Sequence, residues 1–215
     1  MESERLVREA APGDAGPIAH LSHIAGQGSA RISTYDLMIG GRPGPTAERI
    51  YLIKRIVEAR TISMLHYSNH YVATVEGRVS ACAGAVDPPG ASLLTFVAAL
   101  KETGWTDEEI SRMRSGLTTY SRVEPPITED CWAIQNVATL EGYRRMGLAS
   151  ALVEQVLERG RQLGLRRARL AVHIGNDAAL NLYKGLGFEV KNWRTDPEFE
   201  ALFGCPGMWE MTRPL

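Results

Sequence analysis

The 215-residue sequence predicts a mixed α/β fold, and two observations carry that prediction. From Cys131 onward, apolar patterns alternate in the order strand, helix, strand, helix, strand, which marks a mixed sheet with helices packed on it. Upstream, two β-rich runs meet at Glu76-Gly77, where glycine supplies the positive φ that a tight hairpin needs. A chain of this length buries about 70% of its unfolded surface, so a single domain over residues 1–215 needs neither disulfides nor a structural metal.

The elements follow in order. Residues 5–9 read as a short strand, and Gly13 and Asp14 then open an amphipathic helix through Ile18, Leu21 and Ile24. A Gly/Pro-rich loop over residues 39–46 leads to a second helix carrying Ile50, Leu52, Ile53 and Ile56. Strands over residues 70–75 and 79–86 form the hairpin, and Asp87-Pro88-Pro89-Gly90 stops the second of them. Residues 91–101 and 107–117 have helical character and close at Glu124-Pro125-Pro126, so residues 87–130 read as a helical insertion between two strands. The pattern ends with a strand over 131–138, a helix over 148–163, a strand over 168–173, a helix over 177–186 and a last strand. Leu148, Leu152, Val153, Val156, Leu157 and Leu163 share one broad helical face, which must pack on the sheet.

Charge narrows the partners. A formal net charge of −1 argues against nucleic acid, whose phosphates demand a concentrated cationic excess. Residues 141–170 nevertheless hold seven Arg and three Glu, a compact positive stretch suited to a small polyanion. Three widely spaced cysteines make neither a disulfide framework nor a CxxC metal site, and they fit a reducing compartment. The charged start MESERLVREA lacks an apolar signal core, and the longest apolar stretch, residues 91–100, is too short to span a bilayer. The expectation is a cytoplasmic protein without metal, since neither histidine pair has a third ligand nearby.

The chemistry concentrates after Thr139. A β-rich run ends there, a short loop follows, and the sequence Arg144-Arg145-Met146-Gly147-Leu148-Ala149-Ser150 opens the strongly apolar helix. A helix N-terminus offers unpaired N–H groups and a positive dipole end, which bind phosphate. Gly147 keeps the backbone open to close approach by a pyrophosphate.

The spacing Arg144-x-x-Gly147-x-Ala149 resembles the pyrophosphate loop of the GNAT acetyltransferase superfamily. Downstream, Asn176-x-x-Ala179-x-x-Leu182-Tyr183-x-x-x-Gly187-Phe188 resembles the closing helix and strand of the same superfamily. Both matches fall in the expected order, one helix and one strand apart, and together they cover residues 131–190. The resemblance implies a largely antiparallel, twisted GNAT-type sheet flanked by helices, and acetyl-CoA as the acetyl donor. It implies that Val137, Ala138 and Thr139 lie on a bulged, splayed strand whose backbone pairs with pantetheine. Arg144, Arg145 and the loop to Ser150 would hold the pyrophosphate, with Asn176 and Ala179 against the cofactor. Tyr183 would place its hydroxyl near the CoA sulfur as the general acid, although its spacing equally suits a core tyrosine.

The acceptor is less sharply written. His173 ends the strand before Asn176 and is the first choice as general base, with ordered water second. Ala171 stands where some protein-acetylating relatives carry Glu, which favours a small-molecule amine over a protein amino group. Residues 91–126 and the first two predicted helices carry no cofactor role and are expected to line the amine pocket. Arg166, Arg167 and Arg169 read as surface charge. A non-catalytic acyl-CoA sensor is the alternative of another class, a dinucleotide fold fails for want of GxGxxG, and a homodimer stays open.

Overall fold

The computed structural model describes residues 4–39 and 45–215. Most of the Gly/Pro-rich loop read at 39–46, and the first three residues of the charged start, lie outside the described residues. The elements are β1 (Arg5–Glu9), α1 (Ala15–Gln27), α2 (Thr34–Met38), α3 (Thr46–Val57), β2 (His70–Val75) and β3 (Arg78–Val86). Then come α4 (Leu93–Glu102), α5 (Asp107–Gly116), α6 (Thr118–Val123), β4 (Cys131–Thr139), α7 (Leu148–Gln162) and β5 (Arg167–His173). The chain ends with α8 (Asp177–Gly185), β6 (Glu189–Thr195), α9 (Pro197–Phe203) and β7 (Gly207–Pro214).

Seven strands form one mixed sheet in the order β1-β2-β3-β4-β5-β7-β6, antiparallel except for the β4–β5 pair. The hairpin turn has both Glu76 (φ 52°) and Gly77 (φ 76°) in the left-handed region, the geometry of a two-residue type I′ turn. Alternation along the strands serves two cores. Val72 and Cys82 face the layer made by α1, α3, α4 and α5, whereas Ala73, Ala81 and Ala83 face α7. Small residues on that second face let α7 seat Leu152, Val153, Val156 and Leu157 at 0% exposure.

Four features depart from the sequence reading. Leu163 follows the end of α7 and is 47% exposed, so it does not share the buried face. The short helices α2 and α6 were not anticipated, and α2 starts at a capping box in which Ser33 and Asp36 satisfy each other's backbone N–H groups. The predicted pattern stops at the strand after α8, whereas α9 and a further strand, β7, follow it, and β7 inserts between β5 and β6 so that β6 is the edge. Arg169 is 4% exposed and is a buried structural cation rather than surface charge. Its guanidinium donates to Glu124 at 3.0 Å and also to the carbonyl of Pro125, because a buried charge is tolerated only when paired. Arg167, at 43% side-chain exposure, pairs with Asp130, and Arg166 is exposed.

Candidate active site

The site begins where β4 and β5 part. They pair only from Cys131 to Ala133 against Arg167 to Arg169, and beyond this the two strands diverge. The register of β4 against β3 shifts between Cys82 and Gly84, so Asn136 and Val137 together oppose a single residue. Asn136 sits at φ 54°, a conformation Asn adopts more readily than most residues.

A buried polar chain fixes this bulge. The Tyr35 hydroxyl donates to Asn136 Oδ1 at 2.6 Å, and Asn136 Nδ2 donates to His70 Nε2 at 3.2 Å. His70 Nδ1 in turn donates to the His66 carbonyl at 3.1 Å. Burial lowers the His70 pKa to about 4, so its ring is neutral and Nε2 is free to accept. Gly84 makes room for that ring, since a Cβ there would lie 2.8 Å from it.

The depressed His70 pKa has a consequence for stability. The unfolded chain, with an ordinary histidine pKa of about 6.5, takes up a proton before the folded chain does. The stabilisation is therefore complete above about pH 6.5 and is lost as pH falls toward about 4. Urea denaturation at pH 7 and pH 5 is expected to show a drop that His70→Asn reduces.

Beyond Thr139 the chain makes a turn at Glu141–Tyr143 and enters α7 through Arg145 (φ 63°) and Gly147 (φ 78°). Gly147 is the N-cap and supplies no side-chain hydrogen bond, so the N–H groups of Leu148, Ala149 and Ser150 are left for a ligand. A Cβ on Gly147 would meet no atom within 4 Å, which makes the space above it an open cradle. Arg144 and Arg145 are exposed and form no ion pair among the described residues. Arg5 Nη1 donates to the Met146 carbonyl at 3.0 Å, tying β1 to the loop. This arrangement fits a pyrophosphate.

A cavity of about 770 Å³ extends from the opening between β4 and β5 toward the insertion. Of the residues singled out in the sequence, Val137, His173, Asn176, Ala179 and Tyr183 line it. Ala138 and Thr139 lie farther along β4, and Arg144 to Ser150 lie outside the lining. From the helical layer come Ala25 and Gly26 of α1, Tyr35 and Met38 of α2, Phe96 of α4 and Tyr120 of α6. The second helix foreseen in the sequence, α3, contributes no lining residue, and α2 takes that place.

Three of the lining residues are those to which the sequence assigns chemistry. Tyr183 is 7% exposed, packs edge-on against Phe188 with centroids 5.9 Å apart, and has no hydrogen bond to its hydroxyl among the described residues. Burial raises its pKa, so the hydroxyl keeps its proton. Asn176 caps α8 by accepting from the Ala179 N–H at 3.2 Å. His173, 8% exposed beside Phe199 and Phe203, has its pKa lowered by burial and is neutral near pH 7.

Sequence reasoning missed Tyr35, Asn136 and Arg194, which line the cavity, and foresaw Glu124 only as part of the segment 91–126. Glu124 accepts from the Tyr120 hydroxyl at 2.9 Å as well as from Arg169. The alternation of β5 was the signal for Arg169. Ala168, Leu170 and Val172 pack under α7, which sends Arg169, Ala171 and His173 to the opposite face of the sheet.

The model of the Acetyltransferase (GNAT) family matches residues 47–188. An N-alpha-acetyltransferase of Sulfurisphaera tokodaii is 31% identical over 78 residues, 34% of this chain and 47% of that protein, so the match spans about half of the relative. A solved N-acetyltransferase of Staphylococcus aureus Mu50 superposes with a TM-score of 0.71 at 22% identity, over 97% of this chain and 100% of that one. A solved agmatine N-acetyltransferase gives a TM-score of 0.52 at 17% identity, over 98% and 99% of the two chains. These two structures share the fold.

Proposed function

The chain belongs to the GNAT acetyltransferase family and is therefore an acyltransferase, and from that premise we propose that it acetylates the primary amine of a small molecule. The family uses acetyl-CoA and acts on amine acceptors. One observation carries the finer reading. A cavity joins Tyr183 at the strand opening to Tyr120 and Glu124 of the insertion, which supports a donor and a small acceptor meeting in one chamber.

The residues divide the work. Acetyl-CoA, when bound, supplies an activated thioester. The uncapped start of α7 with Arg144 and Arg145 holds the pyrophosphate, while the unpaired backbone of β4 near Val137 and Ala138 aligns the pantetheine arm. A β4 N–H donates to the carbonyl oxygen as negative charge grows there, a contribution of roughly 3 kcal/mol. The acceptor ammonium, with a pKa of about 10.4 in water, must lose a proton before it attacks, and His173 or water receives it. Tyr183 donates its proton to the departing sulfur. No cysteine lines the cavity, and burial raises the pKa of all three, Cys82 to about 12, which leaves the amine as the attacking group.

The Sulfurisphaera relative favours a second reading, acetylation of a protein N-terminus. Thiol release from acetyl-CoA separates the two. Small primary amines are expected to saturate the enzyme and appear as N-acetyl products. Turnover confined to peptides with free N-termini would replace the small-molecule reading with the second one.

A further inference from the structure

We infer that the acceptor carries a carboxylate as well as its amine, and that Arg194 binds that carboxylate. The inference rests on the small-amine reading above and specifies the class of amine.

Charge in the chamber is not fully compensated. Glu124, Arg194 and His173 are the titratable side chains of Asp, Glu, Lys, Arg and His type that line the cavity. His173 is neutral near pH 7 because burial lowers its pKa. Glu124 is negative, but the buried guanidinium of Arg169 stands 3.0 Å away and offsets it. Arg194 is half-buried and makes no hydrogen bond or ion pair among the described residues. The acceptor chamber therefore presents one positive charge in excess, on a side chain with five N–H donors and no partner among the described residues.

Strand register places that charge relative to the reaction. His173 of β5 stands opposite Met208 of β7, and Met208 stands opposite Arg194 of β6. Residues directly opposite across antiparallel strands share a face, and all three line the cavity. Arg194 is thus two strand spacings, roughly 10 Å, from the strand end that carries His173. A guanidinium fork matches a carboxylate in shape and binds it by two parallel hydrogen bonds. The cation also counts against a second positive group on the acceptor.

The test compares γ-aminobutyrate and β-alanine with their amides and with n-propylamine and ethylamine, the corresponding amines without the carboxylate. Wild-type enzyme is expected to show the lower KM for the acids. Arg194→Ala should raise KM for the acids by about tenfold or more, with kcat and acetyl-CoA affinity little changed and the simple amines unaffected. Arg194→Lys should recover part of the loss, and Arg194→Glu should move the preference toward a diamine such as putrescine. Calorimetric titration of the acids into the enzyme–CoA complex reads the same contact without turnover. Binding that depends on Arg194 while no small amine is acetylated would defeat the small-amine reading and leave this assignment standing. Acids bound no better than their amides, or equal KM changes for acids and amines in Arg194→Ala, would overturn it.

Discussion

Tyr183→Phe is expected to lower kcat by about 10²–10⁴-fold and to leave acetyl-CoA affinity nearly unchanged. The substitution removes one oxygen and keeps the ring that packs edge-on against Phe188. Its hydroxyl has no hydrogen bond within the protein among the described residues, so its loss strands no buried partner and costs little stability. What disappears is a proton donor that burial keeps protonated. The leaving thiol, with a pKa of about 8.5, then departs as a thiolate or takes a proton from water. Water replacing the phenol would put the fall at the lower end of the range. Steady-state rates with a saturating acceptor, together with calorimetry for acetyl-CoA, provide the check. A near-normal kcat with a modest loss of stability would make Tyr183 a core residue.

Gly147→Val is expected to weaken acetyl-CoA binding tenfold or more, and here two effects must be separated. The space a Cβ would enter is empty of protein atoms, which leaves the ligand as the group it would strike. The backbone at φ 78° is nevertheless costly for a β-branched residue, so some loss of order at the start of α7 accompanies the substitution. Gly147→Ala shares the strain but reaches less far into the cradle. Affinity should therefore fall in the order Gly, Ala, Val, more steeply than thermal stability does. Unchanged affinity in the valine variant would remove the pyrophosphate from this loop.

The start of α7 and the cap of α8 were legible because their signals are local. Gly147 sits at the start of an apolar helix, and Asn176 stands where a helix needs a cap; both signals lie within a few residues of the feature they create. The splay of β4 from β5 was legible only through resemblance. The bulge turns on one polar residue, Asn136, whose partners Tyr35 and His70 are 101 and 66 positions away. The rest of the cavity depends on such distant meetings throughout. β7 reaches its place between β5 and β6 by long-range pairing, and this brings Arg194 into register with His173. Arg169 looked like one of a surface cluster because three arginines lie within four residues, yet strand alternation alone turns it inward beneath Glu124.

The central claim is that donor and acceptor meet in one chamber and that the amine attacks directly. Initial velocities measured over a grid of acetyl-CoA and amine concentrations test it. Both substrates bound together predict a family of intersecting lines in double-reciprocal form. Parallel lines, with an acetylated enzyme detected by mass spectrometry after incubation with acetyl-CoA alone, would contradict it.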